Sequence, residues 1–120
     1  MATILVIDDD EGVRRLLRTV LEQEGHEVLE ANDGVRGVAL FGKHRPDLAI
    51  VDLLMPEKDG IETIREIRRL DGEARLIAMT GALPLHESSL RVAERLGARR
   101  ALKKPMQIRE IVEAVEEVLA

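Results

Sequence analysis

Hydrophobic positions follow two alternating patterns along the chain. Short, nearly continuous apolar runs predict strands that are covered on both faces, and apolar positions three and four residues apart predict amphipathic helices. The predicted strands span 4–7, 26–31, 48–51, 75–79 and 100–102. The predicted helices span about 13–21, 34–43, 61–70, 87–96 and 108–119.

Strands that alternate with helices are typical of a parallel sheet whose strands are joined by crossover helices. The five strand–helix pairs predict an α/β, doubly wound (βα)5 fold. No internal repeat, low-complexity segment or linker interrupts the pattern. We therefore expect residues 1–120 to form one domain.

Composition narrows the possible partners. The 120 residues are 45% hydrophobic and 34% charged, with a formal net charge of −5, one Phe and no Trp or Tyr. An acidic chain without stacking side chains is not expected to bind nucleic acid directly. The chain has no Cys, which excludes disulfides and thiolate chemistry. The first apolar run is too short for a signal peptide or a membrane span, so we expect a soluble protein without membrane insertion.

Reactive side chains follow the predicted strands. In an open parallel sheet, ligands bind beyond the carboxyl ends of the strands. The residues at those ends are carboxylates, a hydroxyl and ammonium groups: Asp8, Asp9 and Asp10, then Asp52, then Thr80, then Lys103 and Lys104. We expect these groups to meet at one edge.

Carboxylates in one pocket repel one another by about 4 kcal/mol per pair at close range in a partly solvated site. A hard divalent cation would offset this repulsion, and Mg²⁺ prefers one or two carboxylates together with water and phosphate oxygens. An aspartate beside Mg²⁺ and a lysine can act as a nucleophile towards a phosphoryl group. The strand ends therefore indicate phosphoryl-transfer chemistry that uses Mg²⁺.

Five ordered segments carry a family resemblance. The segments "ILVIDDDEGVRRLL", "EGHEVLEANDG", "DLAIVDLLMPEKDG", "LIAMTG" and "ALKKP" resemble the receiver domain of two-component response regulators over nearly the whole chain. The resemblance implies a flavodoxin-like fold with strand order 2-1-3-4-5 and a cis peptide bond between Lys104 and Pro105. The resemblance is to receiver domains of the stand-alone, single-domain type.

The resemblance also implies a role for each site residue. Asp52 would be the phosphoacceptor, Thr80 would bond the phosphoryl oxygens and Lys104 would pair with them. Asp9 would bind Mg²⁺ directly and Asp8 would act through water. Asp52 and the Leu54 carbonyl would complete the metal site.

The implied partners are proteins. A histidine kinase or a histidine phosphotransfer protein would supply the phosphoryl group, and a downstream protein target would read the modified state. The resemblance further implies a cytoplasmic monomer or weak dimer that is not an enzyme and assists only its own phosphorylation and dephosphorylation.

Several residues have simpler interpretations. Asp10 and Asp59 are expected to cap helices rather than bind metal. Lys103 competes with Lys104, but alternation along the strand turns it to the opposite side. The arginines at 14, 15 and 18 form either a docking stripe or a solvated face. The three scattered histidines are not expected to bind metal or catalyse.

Departures from the family pattern concern the switch and the lifetime of the phosphoryl group. Ala101 stands three residues before Lys104, where the family usually carries an aromatic residue that moves on phosphorylation. Leu54 and Ala82 occupy positions that influence water access, and both are apolar. We therefore expect a comparatively long-lived phosphoryl group and a signal that is reported differently or weakly.

Three other functions compete with the phosphoacceptor hypothesis. Ala101 favours a phosphorylation-independent interaction module, which the intact set of reactive residues opposes. A phosphatase would be favoured by an acid two positions after Asp52, where Leu54 stands. A nucleotide-binding fold lacks a glycine-rich loop after the first strand.

Overall fold

The computed structural model describes residues 1–54, 60–81 and 87–120. Five strands alternate with five helices, as the sequence predicts, and the boundaries differ from the expected ones by at most two residues. In chain order the elements are β1 (Thr3–Ile7), α1 (Glu11–Gln23), β2 (Glu27–Ala31), α2 (Gly34–His44), β3 (Leu48–Asp52), α3 (Gly60–Leu70), β4 (Leu76–Thr80), α4 (Glu87–Arg95), β5 (Ala98–Lys103) and α5 (Ile108–Leu119).

The strands form one parallel sheet in the order β2-β1-β3-β4-β5. This confirms the predicted fold class and strand order. β1 and β3 are neighbours although β2 lies between them in sequence, so the order reverses beside β1. The acidic residues that follow β1 and the last residue of β3 therefore lie side by side at this switch point.

Alternating side chains of the central strands fill two separate cores. Ile4 and Val6 of β1 pack in the core under α1 and α5, with Leu17, Leu21 and Ile111 among its members. Leu5 and Ile7 point to the opposite face, into the core under α2, α3 and α4. Because strand side chains alternate in direction, a continuous apolar run serves both faces. The central strands are consequently rigid supports for the residues at their carboxyl ends.

The first helix begins where the sequence predicts. The Asp10 carboxylate accepts hydrogen bonds from the backbone N–H groups of Gly12 and Val13 at 2.8 and 3.2 Å, which makes Asp10 the N-cap of α1. The expected capping role of Asp59 lies outside the described residues. No helix in the described part of the chain combines the length and the hydropathy needed to cross a bilayer.

Candidate functional site

Three carboxylates meet at the carboxyl edge of the sheet. Asp8 and Asp9 follow β1 directly, and Asp52 is the last residue of β3. Each offers a carboxylate oxygen, and these oxygens lie within 4.8 Å of one another. Asp8 is 0% exposed and Asp52 is 3% exposed, whereas Asp9 faces solvent. The fold thus brings the predicted acidic residues together, with two buried and one accessible.

Backbone contacts on two sides hold Asp8. Its N–H donates to the carbonyl of Ala31 at the end of β2 over 3.1 Å, and its Oδ1 accepts from the N–H of Asp10 over 2.8 Å. Its own carbonyl accepts from Nη1 of Arg14 over 2.8 Å. The Asp8 backbone is therefore fixed by β2 and by the first turn of α1.

The contact between Arg14 and Asp8 belongs to an ion-pair cluster that sequence reasoning did not find. The Glu30 carboxylate of β2 pairs with both arginines: Oε1 lies 3.1 Å from Nε of Arg14, and Oε2 lies 2.6 Å from Nε of Arg18. Burial raises the pKa of Glu30, but Arg18 and Arg14 outweigh burial and lower it overall. The predicted arginine stripe is thus divided, because Arg14 and Arg18 bind β2 while Arg15 pairs on the surface with Glu11.

Lys104 reaches the buried carboxylates from the fifth strand. Its Nζ lies 2.8 Å from Oδ2 of Asp8 and 3.3 Å from Oδ2 of Asp52. Its N–H donates to the carbonyl of Thr80 over 2.8 Å, which fixes the end of β5 against β4. Lys103 is exposed, as the alternation argument predicts. The peptide bond between Lys104 and Pro105 is cis, as the resemblance implies.

Burial shapes the electrostatics of the cluster. Burial and the nearby Asp8 charge raise the pKa of Asp52 to about 6, and Lys104 offsets only part of this rise. Burial likewise raises the pKa of Asp8 above its usual range. Burial disfavours the charged form of Lys104, but its contacts with Asp8 and Asp52 prevail and raise its pKa. Among the described residues, three carboxylates of the pocket face one ammonium group, so negative charge is in excess.

The donor set fits a hard divalent cation. Oδ2 of Asp8 is buried and its one cationic neighbour among the described residues is the Lys104 ammonium group, 2.8 Å away, so it retains acceptor capacity for a cation. Asp9 adds an accessible carboxylate to the two buried ones. An all-oxygen set with excess negative charge and access to water is what Mg²⁺ prefers.

Local structure around Asp52 leaves little free space. The N–H of Leu54 donates to Oδ1 of Asp52 over 3.3 Å, and the N–H of Gly60 donates to the carbonyl of Leu53 over 3.1 Å. A Cβ atom at Gly60 would lie 2.1 Å from the Asp52 carbonyl oxygen and 2.5 Å from Leu53 Cα. Gly60 therefore lets α3 begin directly against the strand that carries Asp52, a requirement that the sequence analysis did not identify.

The remaining predicted residues lie at the same edge or beside it. Thr80 ends β4 and is 8% exposed, and the neighbouring Met79 pairs in register with Asp52. The Leu54 side chain is 59% exposed. Ala101 lies in β5 opposite Ala78 of β4. Ala82, the second position expected to influence water access, lies outside the described residues.

Comparison with known proteins identifies the family. Residues 4–116 match the response regulator receiver domain. The chain is 36% identical to the chemotaxis protein CheY of Halobacterium salinarum over 97% of this chain and 95% of that protein. It is also 36% identical to sporulation initiation phosphotransferase F of Bacillus subtilis, over 97% of this chain and 92% of that protein.

A solved structure agrees with the family assignment. The CheY-like receiver domain protein of Methanospirillum hungatei superimposes with a TM-score of 0.90 at 28% identity, covering 99% of this chain and 94% of that one. The chain therefore belongs to the response regulator receiver family. It is a receiver domain with a phosphoacceptor role in two-component signalling, and the phosphorylation-independent alternative is not favoured.

Proposed function

We propose that Asp52 is the phosphoacceptor and that it takes a phosphoryl group from a phosphohistidine with the help of Mg²⁺. The observation that carries this proposal is the convergence of Asp8, Asp9, Asp52 and Lys104 at one edge of the sheet. Residues 1–120 would act as one receiver domain.

In the proposed transfer, an Asp52 carboxylate oxygen forms a bond to phosphorus while the bond from phosphorus to the histidine nitrogen breaks. The electron pair of the broken bond stays with the imidazole. With a pKa of about 6, Asp52 is mostly ionised at neutral pH and can act as the nucleophile. Asp8, Asp9, Asp52 and the Leu54 carbonyl would hold Mg²⁺, which would supply charge stabilisation to the phosphoryl oxygens.

Lys104 and Thr80 complete the proposed site. The Lys104 ammonium group lies 3.3 Å from Oδ2 of Asp52, close enough to pair with a phosphoryl oxygen attached there. Thr80 ends the strand beside Asp52, and its hydroxyl would bond the same group. Once phosphorylated, Asp52 no longer offers a free carboxylate to Lys104, so the contacts of β4 and β5 change.

The proposed partners are a histidine kinase or a histidine phosphotransfer protein as donor and a downstream protein as target. The domain would work in the cytoplasm as a monomer or weak dimer. It would assist only its own phosphorylation and dephosphorylation, and turnover of an external substrate is not part of the proposal.

Intact-protein mass spectrometry tests the acceptor assignment. The protein is incubated with acetyl phosphate and Mg²⁺, and we expect a gain of one phosphoryl group. The gain should vanish in Asp52→Asn and in the presence of a chelator. The matched control is Asp33→Asn, which changes an aspartate that caps α2 and should leave the gain intact. An unmodified wild-type protein with an intact fold would contradict the proposal.

The lifetime of the phosphoryl group provides a second test. The Leu54 side chain is exposed, apolar and two residues from Asp52, so it offers no polar group to orient an attacking water. We expect Leu54→Glu to shorten the lifetime several-fold, whereas Leu54→Met should leave it similar. A lifetime of seconds or less in the wild-type protein would contradict this expectation.

A further inference from the structure

A groove at the opposite, amino edge of the sheet is lined by five arginines. The groove has a volume of about 870 Å³ and lies where α2, α3 and α4 end and where β4 and β5 begin. Its arginines are Arg45, Arg68, Arg75, Arg95 and Arg99. This concentration of positive charge stands on a chain with a net charge of −5.

Two of these arginines have structural roles. Arg68 donates to the carbonyls of Leu96, Gly72 and Ala74, each at 2.9 Å, and thereby ties the end of α3 to the segments before β4 and β5. Arg45 donates to the carbonyl of Leu70 over 2.9 Å. Cations at helix C-termini commonly bind the last carbonyls in this way. Capping by itself explains these two residues.

The other three arginines are not explained by such contacts. Arg75, Arg95 and Arg99 are exposed, and their guanidinium groups form no hydrogen bond or ion pair within the described ranges 1–54, 60–81 and 87–120. Arg95 lies in the last turn of α4, where the helix dipole favours a cation. Arg75 and Arg99 lie at the starts of strands, where no helix end accounts for them.

Acidic side chains in the groove compensate only part of this charge. Three carboxylates line it, so five guanidinium groups leave a net charge of +2. Asp47 accepts the N–H of Thr3 over 2.8 Å, and Asp71 accepts the N–H of Glu73 over 2.9 Å. None of the three carboxylates forms an ion pair with Arg75, Arg95 or Arg99 among the described residues, so these guanidinium donors stay available.

We propose that this groove binds an oligophosphate chain through Arg75, Arg95 and Arg99. A guanidinium group presents its donors in a planar fork that matches phosphate oxygens, and several forks in one groove suit a ligand with several linked phosphoryl groups. The groove has room for such a ligand. The residues that line the groove include no Phe, Tyr, Trp or His, so the groove offers no aromatic face for a base. The groove therefore recognises its ligand by the phosphate oxygens and not by a base.

Calorimetric titration with inorganic tripolyphosphate tests the site in low-salt buffer without Mg²⁺. The wild-type protein should bind one equivalent, and the triple variant Arg75→Ala, Arg95→Ala, Arg99→Ala should bind at least ten-fold more weakly. The matched control is the triple variant Arg65→Ala, Arg91→Ala, Arg109→Ala, because it also removes three exposed positive charges, all outside the groove. Thermal unfolding checks each fold, and these exposed substitutions should change stability little.

Amide chemical shifts locate the bound ligand. Tripolyphosphate should shift residues 72–75 and 97–99 and leave residues 8–9 and 52 unchanged. Absence of saturable binding, an equal loss in the control triple variant, or shifts confined to residues 8–9 and 52 would each overturn the proposal.

Two further ligands define the recognised chemistry. Orthophosphate should bind at least ten-fold more weakly than tripolyphosphate, because it engages fewer guanidinium groups. Equal affinity would overturn the assignment to an oligophosphate chain. ATP without Mg²⁺ should bind about as tightly as tripolyphosphate, since the groove lacks a stacking face, and markedly tighter binding of ATP would overturn recognition by the phosphate chain alone.

Discussion

The two edges of the sheet carry opposite charges in opposite environments. At the carboxyl edge, Asp8 and Asp52 are buried beside one ammonium group, and burial raises the pKa of both carboxyl groups. At the amino edge, arginines face solvent in an open groove. Buried charges without full compensation cost free energy, whereas exposed charges cost little.

The direction of the helices contributes to this difference. In a sheet of parallel strands with crossover helices, helices begin at the carboxyl edge and end at the amino edge. Helix N-termini favour anions and C-termini favour cations. The last turns of α2, α3 and α4 are basic, which follows this rule. The helix dipole does not account for the whole difference. At the carboxyl edge the carboxylates are also buried, and their burial lowers the stability of the fold.

The largest expected effect comes from closing the space beside Asp52. Gly60→Ala should lower the free energy of unfolding by about 3 kcal/mol, because its Cβ would clash with backbone atoms of residues 52 and 53 that cannot move aside. Urea denaturation measures the change. Gly42→Ala is the control: its Cβ would meet only Leu70 at 3.7 Å, so it should raise stability by up to about 1 kcal/mol. Equal effects at both positions would contradict the packing argument.

Asp52→Asn should stabilise the protein in the absence of Mg²⁺. The pKa of Asp52 is about 6 in the folded state, above its unfolded value, so the folded state binds more protons between these two values. The free energy of unfolding therefore falls as pH rises through this window, and the full penalty is present at pH 7. We expect a gain of up to about 3 kcal/mol at pH 7 that largely disappears near pH 4.

Denaturation curves at several pH values measure the stabilisation by Asp52→Asn. Asp33→Asn, at the N-cap of α2, is the comparison. This variant keeps Asp52, so its free energy of unfolding should fall with rising pH as the wild-type value does. A variant at position 52 that is no more stable than wild type at pH 7 would show that the carboxylate is not strained by burial.

Removal of the accessible carboxylate should weaken Mg²⁺ binding. Asp9→Asn is expected to raise the dissociation constant at least ten-fold, which corresponds to about 1.4 kcal/mol, because Asp9 is the exposed member of the acidic set. Asp10→Asn is the matched control, since Asn also caps helices well and Asp10 binds the backbone of α1. Isothermal titration with Mg²⁺ measures both dissociation constants. An equal loss of affinity in Asp9→Asn and Asp10→Asn would show that only net charge matters and would contradict the prediction.

The smallest expected effect concerns the amino edge. Gly97 has φ of +101°, and a Cβ there would lie 2.5 Å from the Arg68 guanidinium group. Gly97→Ala should therefore lower the free energy of unfolding by about 1 kcal/mol, because the arginine side chain can shift while the backbone strain stays. Gly72→Ala, which meets no atom within 4 Å, is the control in urea denaturation. A loss as large as that for Gly60→Ala would show that the amino edge is equally rigid.

Much of the carboxyl edge could be predicted from the sequence. Asp8 and Asp52 directly follow apolar runs, so identification of the strands also located the strand ends. The choice of Lys104 over Lys103 followed from side-chain alternation. The Arg14 contact to Asp8 and the close approach of Gly60 could not be predicted, because each depends on how a helix packs against a strand.

The sequence by itself determined the alternation of strands and helices, the parallel sheet and the acidic edge, since these depend on local periodicity and on residues adjacent in the chain. Only the tertiary structure decided which carboxylates are buried, that Glu30 joins Arg14 to Arg18, and that Arg75, Arg95 and Arg99 share one groove. The physical reason is that the residues that contact one another in these features are far apart in the sequence. Burial and charge clustering arise between segments that only packing brings together.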